Sequence, residues 1–216
     1  MHCISASVMR SNVAVFALML LLVAPLRAEI IDRVLATVGG SLVLQSDVAA
    51  VSRFGLITPP PGMDPIQWTL DRLIERRLML TEVERYAPPE PDRTLIDKRM
   101  QAIDERIGSG EKLDAITRET GMTVEQLRRY VRDDLRLEAY LQQRFGGFYQ
   151  PTEDEIVRYY RENAARFMRG GTLLPFNEAR ELVREAVMGE RRAASVREWL
   201  AGLRRRTEVN IVYLGR

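Results

Sequence analysis

Apolar and β-branched residues alternate through IIDRVLATVGGSLVLQ (30–45), with Gly39-Gly40 near the midpoint. Two short alternating runs split by a glycine pair predict a β-hairpin, because glycine supplies the positive φ that tight hairpin turns need. Ser46-Asp47 offers an N-cap to a short helix ending near Phe54. The next stretch, GLITPPPGMD (55–64), holds three successive prolines and cannot continue a helix. Asp64-Pro65 then sets a capping carboxylate before a proline at the first helical position. The helix they open runs to about Tyr86. Ile66, Leu70, Leu73, Ile74 and Leu78 form its apolar face, and Met79-Leu80 widen it.

PPEP (88–91) breaks the chain before a more polar helix from about Asp92 to Ile107, striped by Leu95, Ile96, Met100, Ile103 and Ile107. GSG (108–110) ends it, and a short helix follows, closed by Gly121 in the place of a C-cap glycine. Thr123 and Gln126 fit a capping box for a helix reaching Phe145, with Leu127, Val131 and Leu135 at intervals of four. Gly146-Gly147 stops that helix. A second box, Thr152 with Glu155, opens another through Ile156, Tyr159, Tyr160 and Phe167. After a flexible linker, a long helix is expected from about Asn177 to Arg206, with Leu182, Ala186, Ala193, Val196, Leu200 and Leu203 along one side. TEVNIVYL (207–214) alternates as a strand. A lone strand is unstable, and the only other β pattern lies at the opposite end, so the two ends should pair in one small sheet. The expected class is mainly α (α+β), a helical module with an antiparallel sheet built from the N-terminal hairpin and the C-terminal strand.

The first residues stand apart from this pattern. Arg10 precedes the apolar run NVAVFALMLLLVA (12–24), which is followed by PLRA and then Glu29. A positive start, a short apolar stretch and a small residue before the cut read as a secretory signal peptide, residues 1–28, cleaved near Ala28. The run is shorter than the roughly 20 residues of a comfortable membrane span; an uncleaved anchor is the competing reading. Cleavage would remove His2 and Cys3, the chain's one histidine and one cysteine. Residues 29–216 would then lack the side chains for Ser-His-Asp or Cys-His catalysis, for the usual zinc ligands and for a disulfide. No metal and no cofactor is expected. Removing Arg10 and Arg27 from the 32 basic residues balances them against the 30 acidic ones. Interspersed, neutral charge argues against a nucleic-acid partner.

The order of these elements resembles the SurA-type periplasmic chaperones. IIDRVLATVGGSLVLQSDV is similar to their opening hairpin and short helix, LDRLIERRLMLTEVER (70–85) to their long second helix, and MTVEQLRRYVRDDLRLEAYLQQRF to a later one. PTEDEIVRYYRENAARF resembles the segment leading into a parvulin-type prolyl isomerase domain, and FNEARELVREAVMGERRAASVREWLAGLRRRTEVNIVYL the helix and strand that return from it. The likeness spans almost all of residues 29–216. It implies a SurA N-terminal, trigger-factor-like chaperone module, a periplasmic location, and unfolded clients such as outer-membrane proteins. Between Phe167 and Phe176 stand only the eight residues MRGGTLLP (168–175). An isomerase domain of roughly 90 residues cannot fit there. The chain is therefore read as one module, 29–167 and 176–216 joined by that linker, and isomerase activity is not carried over.

A surface that holds unfolded chains needs large adaptable side chains and few fixed charges. Three clusters qualify: Phe54, Leu56, Ile57 and Met63 by the proline loop; Phe145, Phe148 and Tyr149 by the double glycine; and Met168, Leu173 and Leu174 in the linker. Packing at helix ends is the plainer role for each, and Tyr159-Tyr160 read as core. Glu153-Asp154-Glu155 and Arg204-Arg205-Arg206 sit where a helix dipole favours their charges, and Asp133-Asp134 among arginines suits a solvated, ion-paired face. Two functions fit: an ATP-independent chaperone outside the cytoplasm, or an interaction and assembly subunit for one envelope partner. Prolyl isomerisation is a weaker third, and a homodimer through the short linker stays open.

Overall fold

The computed structural model describes residues 32–108, 110–147 and 149–213. The expected leader with its cut near Ala28, the candidate Phe148 and Leu214 lie outside those residues. In chain order the strands are β1 (Val34–Val38), β2 (Ser41–Leu44), β3 (Met168–Arg169), β4 (Thr172–Leu173) and β5 (Val209–Ile211). The helices are α1 (Gln45–Arg53), α2 (Pro65–Tyr86), α3 (Arg93–Ile107), α4 (Gly110–Thr120), α5 (Val124–Phe145), α6 (Glu153–Glu162) and α7 (Phe176–Arg206). None of them is long and apolar enough to cross a membrane. The mainly helical class with one small antiparallel sheet is the class the sequence predicts.

β1 and β2 fold back through Gly39 and Gly40, at φ 53° and 81°. Two successive positive φ angles suit glycine and match the twist of the flanking strands. On its other edge β1 receives β5, antiparallel, with Thr37 opposite Asn210 and Val38 opposite Val209. The sheet order β2-β1-β5 places the first strand at the centre. Beyond β5, the N–H groups of Val212 and Tyr213 both donate to the Leu35 carbonyl, at 2.8 and 3.1 Å. The two ends of the described chain therefore close on each other, as the stranded C-terminal pattern requires.

Caps decide most helix starts. The Asp64 carboxylate accepts from the Ile66 and Gln67 N–H groups at 2.9 and 3.1 Å, satisfying donors that the first helical turn leaves free. Thr123 with Gln126 and Thr152 with Glu155 each form both halves of a capping box. The short helix differs from its expected start. α1 begins two residues early, at Gln45 with Leu44 as N-cap, and Asp47 serves as its third residue, accepting from the Leu44 N–H at 2.9 Å. Ser46 instead bonds Asp32 and ties down the base of the hairpin.

Two further boundaries move. α6 ends at Glu162, and a 3₁₀ turn (Ala164–Phe167) takes the chain to Phe167. At Asn163 the backbone leaves helical geometry, at φ −121° and ψ 31°, while its side-chain amide donates to the Tyr159 carbonyl that already accepts the last helical N–H bond. The expected flexible linker is also structured. β3 and β4 pair through Gly170-Gly171, at φ 59° and 83°. This is the same glycine-pair turn as at Gly39-Gly40, in miniature.

The buried residues fall into neighbouring clusters. One joins the sheet to α1, α2 and Leu203 of α7. A second packs Ala50 and Phe54 against Ile96, Ile103, Ile116, Leu127, Val131 and Leu135. A smaller third sets Ile156 and Phe167 against Ala179, Val183 and Val187. Expected core positions Ile66 and Leu95 are exposed instead, Ile66 at the rim of a cleft it shares with Leu35, Val48 and Tyr213. Along α7 the single predicted stripe fails. Leu182 is 44 % exposed, while Ala179, Val183 and Val187 are buried. At 100° per residue, Val187 and Leu203 point about 160° apart. One flank of α7 thus meets α6, and the nearly opposite flank meets α2 and the sheet.

This two-sided helix makes a direct prediction. Leu203→Ala should cost about 2–5 kcal/mol, the range for emptying a buried leucine site, whereas Leu182→Ala should stay within about 0.5 kcal/mol. Urea unfolding midpoints of the two variants measure the contrast.

Candidate functional site

The most distinctive surface lies where α2 ends and α5 and α7 pass beside it. Leu137 and Tyr140 of α5 pack on Leu80 and Val83 of α2, which draws the C-terminal ends of the two helices together. Tyr86 then meets Tyr140 with ring centres 5.6 Å apart, Tyr140 meets Trp199 at 5.7 Å, and Trp199 meets Phe145 at 5.6 Å. All three pairs are tilted, the geometry that aromatic quadrupoles favour over face-to-face stacking. Tyr86 remains 60 % exposed, so the ladder opens to solvent at one end.

Arg144 sits among these rings. Its guanidinium carbon is 5.5 Å from the centre of Phe145, 5.6 Å from Trp199 and 6.0 Å from Tyr140, and its Nη1 donates to the Tyr140 hydroxyl at 3.2 Å. Such contacts hold a cation by the negative faces of the rings. On either side of Arg144 the surface is concave. A cleft of about 380 Å³ is walled by Tyr86, Pro88, Tyr140 and Gln143. Another, of about 520 Å³, is walled by Phe145, Tyr149, Met188 and Gly189. The chain matches no protein-family model and no curated protein. What the clefts can do is therefore read from their own chemistry, which is aromatic faces, adaptable methionine and guanidinium donors. These suit weak, reversible capture of apolar and aromatic side chains.

Of the ten residues singled out from the sequence, the structure brings Phe145 and Tyr149 to this surface. Phe54 is fully buried in the second core cluster and has no face to offer a ligand. It is stapled there because it closes α1. Leu56 and Ile57 are half-buried against the core, as is Leu174, whose carbonyl accepts from the Tyr160 hydroxyl at 2.6 Å. Met63, Met168 and Leu173 are exposed, on the proline loop and the small second hairpin. Tyr86, Tyr140, Arg144 and Trp199 escaped the sequence reading. Tyr86 closes one helix and Tyr140 lies within another, and only packing shows that they meet.

The polar residues weighed earlier take structural roles. Both Glu153 oxygens accept from Arg180, at 3.0 and 2.7 Å, which clips α6 to α7. Farther along, Glu190 accepts from the Tyr159 hydroxyl and from Arg166. Tyr159 and Tyr160 pack around Phe167, as core residues should. Asp133 pairs with Arg132 at 2.7 Å, but Asp134 departs from the expected solvated face. It pairs with Arg76 of α2 at 2.7 Å, and Arg76 also lies 3.7 Å from the Tyr130 ring centre. Burial raises the Asp134 carboxyl above its usual range, with Arg76 acting against it. Burial likewise pushes the Tyr130 hydroxyl up to about 12.

The α6–α7 clip has a pH consequence. Hydrogen bonding from Arg180 holds Glu153 below its ordinary value of 4.5, and the Tyr159 hydroxyl followed by Arg166 does the same for Glu190. A depressed carboxylate contributes stability that is present above the ordinary value and lost as pH falls below it. Both pairs are solvent-exposed, so the effect is small. Near-UV circular dichroism melts should show the tyrosines around Phe167 loosening first between about pH 5 and pH 3, with Glu153→Gln flattening the change.

Proposed function

We propose that the protein is an ATP-independent chaperone acting outside the cytoplasm, where it holds unfolded segments of outer-membrane or secreted proteins. The observation that carries this reading is the open aromatic ladder of Tyr86, Tyr140, Trp199 and Phe145, with a cleft on each side. The exposed Tyr86 ring and the half-buried Phe145 and Trp199 rings, beside hollows of this size, fit apolar side chains that a folded partner would keep inside. The leader-like first 28 residues and the chaperone-like order of elements support the location and the class. The closed terminal sheet is the arrangement that resemblance implies. Where that family carries an isomerase domain, this chain has a hairpin of a few residues, so holding is proposed rather than catalysis.

Purified protein should suppress light scattering by a denatured outer-membrane protein diluted into buffer, at a few-fold molar excess. Tyr86→Ala and Phe145→Ala should each weaken client affinity about 2- to 10-fold, given about 0.5–1.5 kcal/mol for an aromatic pair. Far-UV circular dichroism would verify that both variants fold. Unabated aggregation at several-fold excess of the parent protein would argue strongly against holding. Capture of one dominant stoichiometric partner from an envelope extract would favour a dedicated assembly subunit.

A further inference from the structure

The larger of the two aromatic clefts has an uneven charge. Arg144, Arg191 and Arg192 stand in its wall, and no carboxylate does. The cleft between α6 and α7, for comparison, alternates Glu155, Glu162 and Glu190 with Arg158, Arg191 and Arg197. Three guanidiniums around one hollow repel each other and focus a positive potential into it, which an anion relieves.

These arginines differ in how far they are already engaged. Arg191 lies 5.2 Å from the Tyr149 ring centre and reaches Glu155 at 3.4 Å. Arg144 lies near three ring centres and spends one hydrogen bond on the Tyr140 hydroxyl. Among the described residues neither Arg144 nor Arg192 forms an ion pair. Guanidinium donors lie in the plane of the group. Of its five N–H donors Arg144 spends one on the Tyr140 hydroxyl, which leaves donors for a carboxylate.

We infer that this cleft selects acidic segments of unfolded chains, taking a carboxylate on Arg144 and Arg192 while a neighbouring aromatic or apolar side chain lies against Phe145 and Met188. The inference rests on the holding activity proposed above and adds to it a preference for charge. A recessed, ring-lined hollow favours a peptide over a lipid surface, which would need its cations on an open face.

The test uses two fluorescein-labelled unfolded peptides, identical in their aromatic residues, one carrying glutamates and the other glutamines between them. Fluorescence anisotropy with the purified protein should give about tenfold tighter binding of the glutamate peptide at low salt. That advantage should shrink as salt is raised from about 50 mM to about 500 mM. Arg192→Gln should reduce it to less than about threefold while leaving the glutamine peptide's affinity nearly unchanged, and Arg144→Gln should reduce it as far while weakening both peptides. Arg192→Gln touches no ring of the ladder, so it keeps the test decisive if Arg144→Gln disturbs folding. Equal binding of the two peptides would overturn the charge preference and leave holding intact. Binding of neither would overturn both. Tighter binding to phosphatidylglycerol vesicles than to the glutamate peptide would overturn the peptide assignment in favour of a membrane surface.

Discussion

The pairing of β5 with β1 is the constraint on which the rest of the architecture depends. β1 is the central strand of a three-stranded sheet only because the chain returns, after more than 160 residues, to cover its second edge. An isolated two-stranded hairpin is marginal in water. The third strand adds backbone hydrogen bonds and positions Leu203, at the end of α7, against the core below the sheet. Loop-closure entropy opposes joining residues so distant, though it rises only slowly with length. Burial of Leu35, Ala36 and Val38 against α1 and α2 offsets it.

From that anchor, the geometry of α7 follows. Its 31 residues span about 46 Å at 1.5 Å per residue, longer than the sheet-facing core beneath it. The end near the sheet belongs to the main core. The other end extends past it and is covered on a different flank by α6 and the 3₁₀ turn. A rigid helix thereby carries a second, smaller core on the first. The arginines and glutamates that clip α6 to α7 are exposed, so apolar packing around Phe167 supplies most of what holds this part together.

The aromatic surface arises where α2, α5 and α7 meet. Trp199 stands on the sheet-facing flank of α7, one turn before Leu203, and its ring meets Tyr140 and Phe145. Large rings fill such a junction better than aliphatic side chains, since they can be buried on one face and open at an edge. Arg144 then lies among them, within about 6 Å of three ring centres and bonded to the Tyr140 hydroxyl. Packing and recognition thus use the same side chains. A surface built this way is stiff, which lowers the entropic cost of holding a partner.

Local chemistry by itself determined the element order, most boundaries and the closing of the sheet. Asp64-Pro65, Thr123 with Gln126 and Thr152 with Glu155 announce helix starts by which backbone donors they satisfy, and Gly39-Gly40 a turn by the φ it allows. The unpaired terminal strand implied its own partner. The same reasoning would have turned Gly170-Gly171 into a hairpin, since the glycine pair is identical in kind, but the brevity of the flanking runs hid it. Tertiary structure alone decided which face of α7 is buried where, because two different neighbours claim flanks about 160° apart and no single stripe can encode both. It also decided that Phe54 is core and that Tyr86, Tyr140, Arg144 and Trp199 form one surface. A sequence records the size and polarity of each ring, while the meeting of rings from three helices depends on how those helices cross.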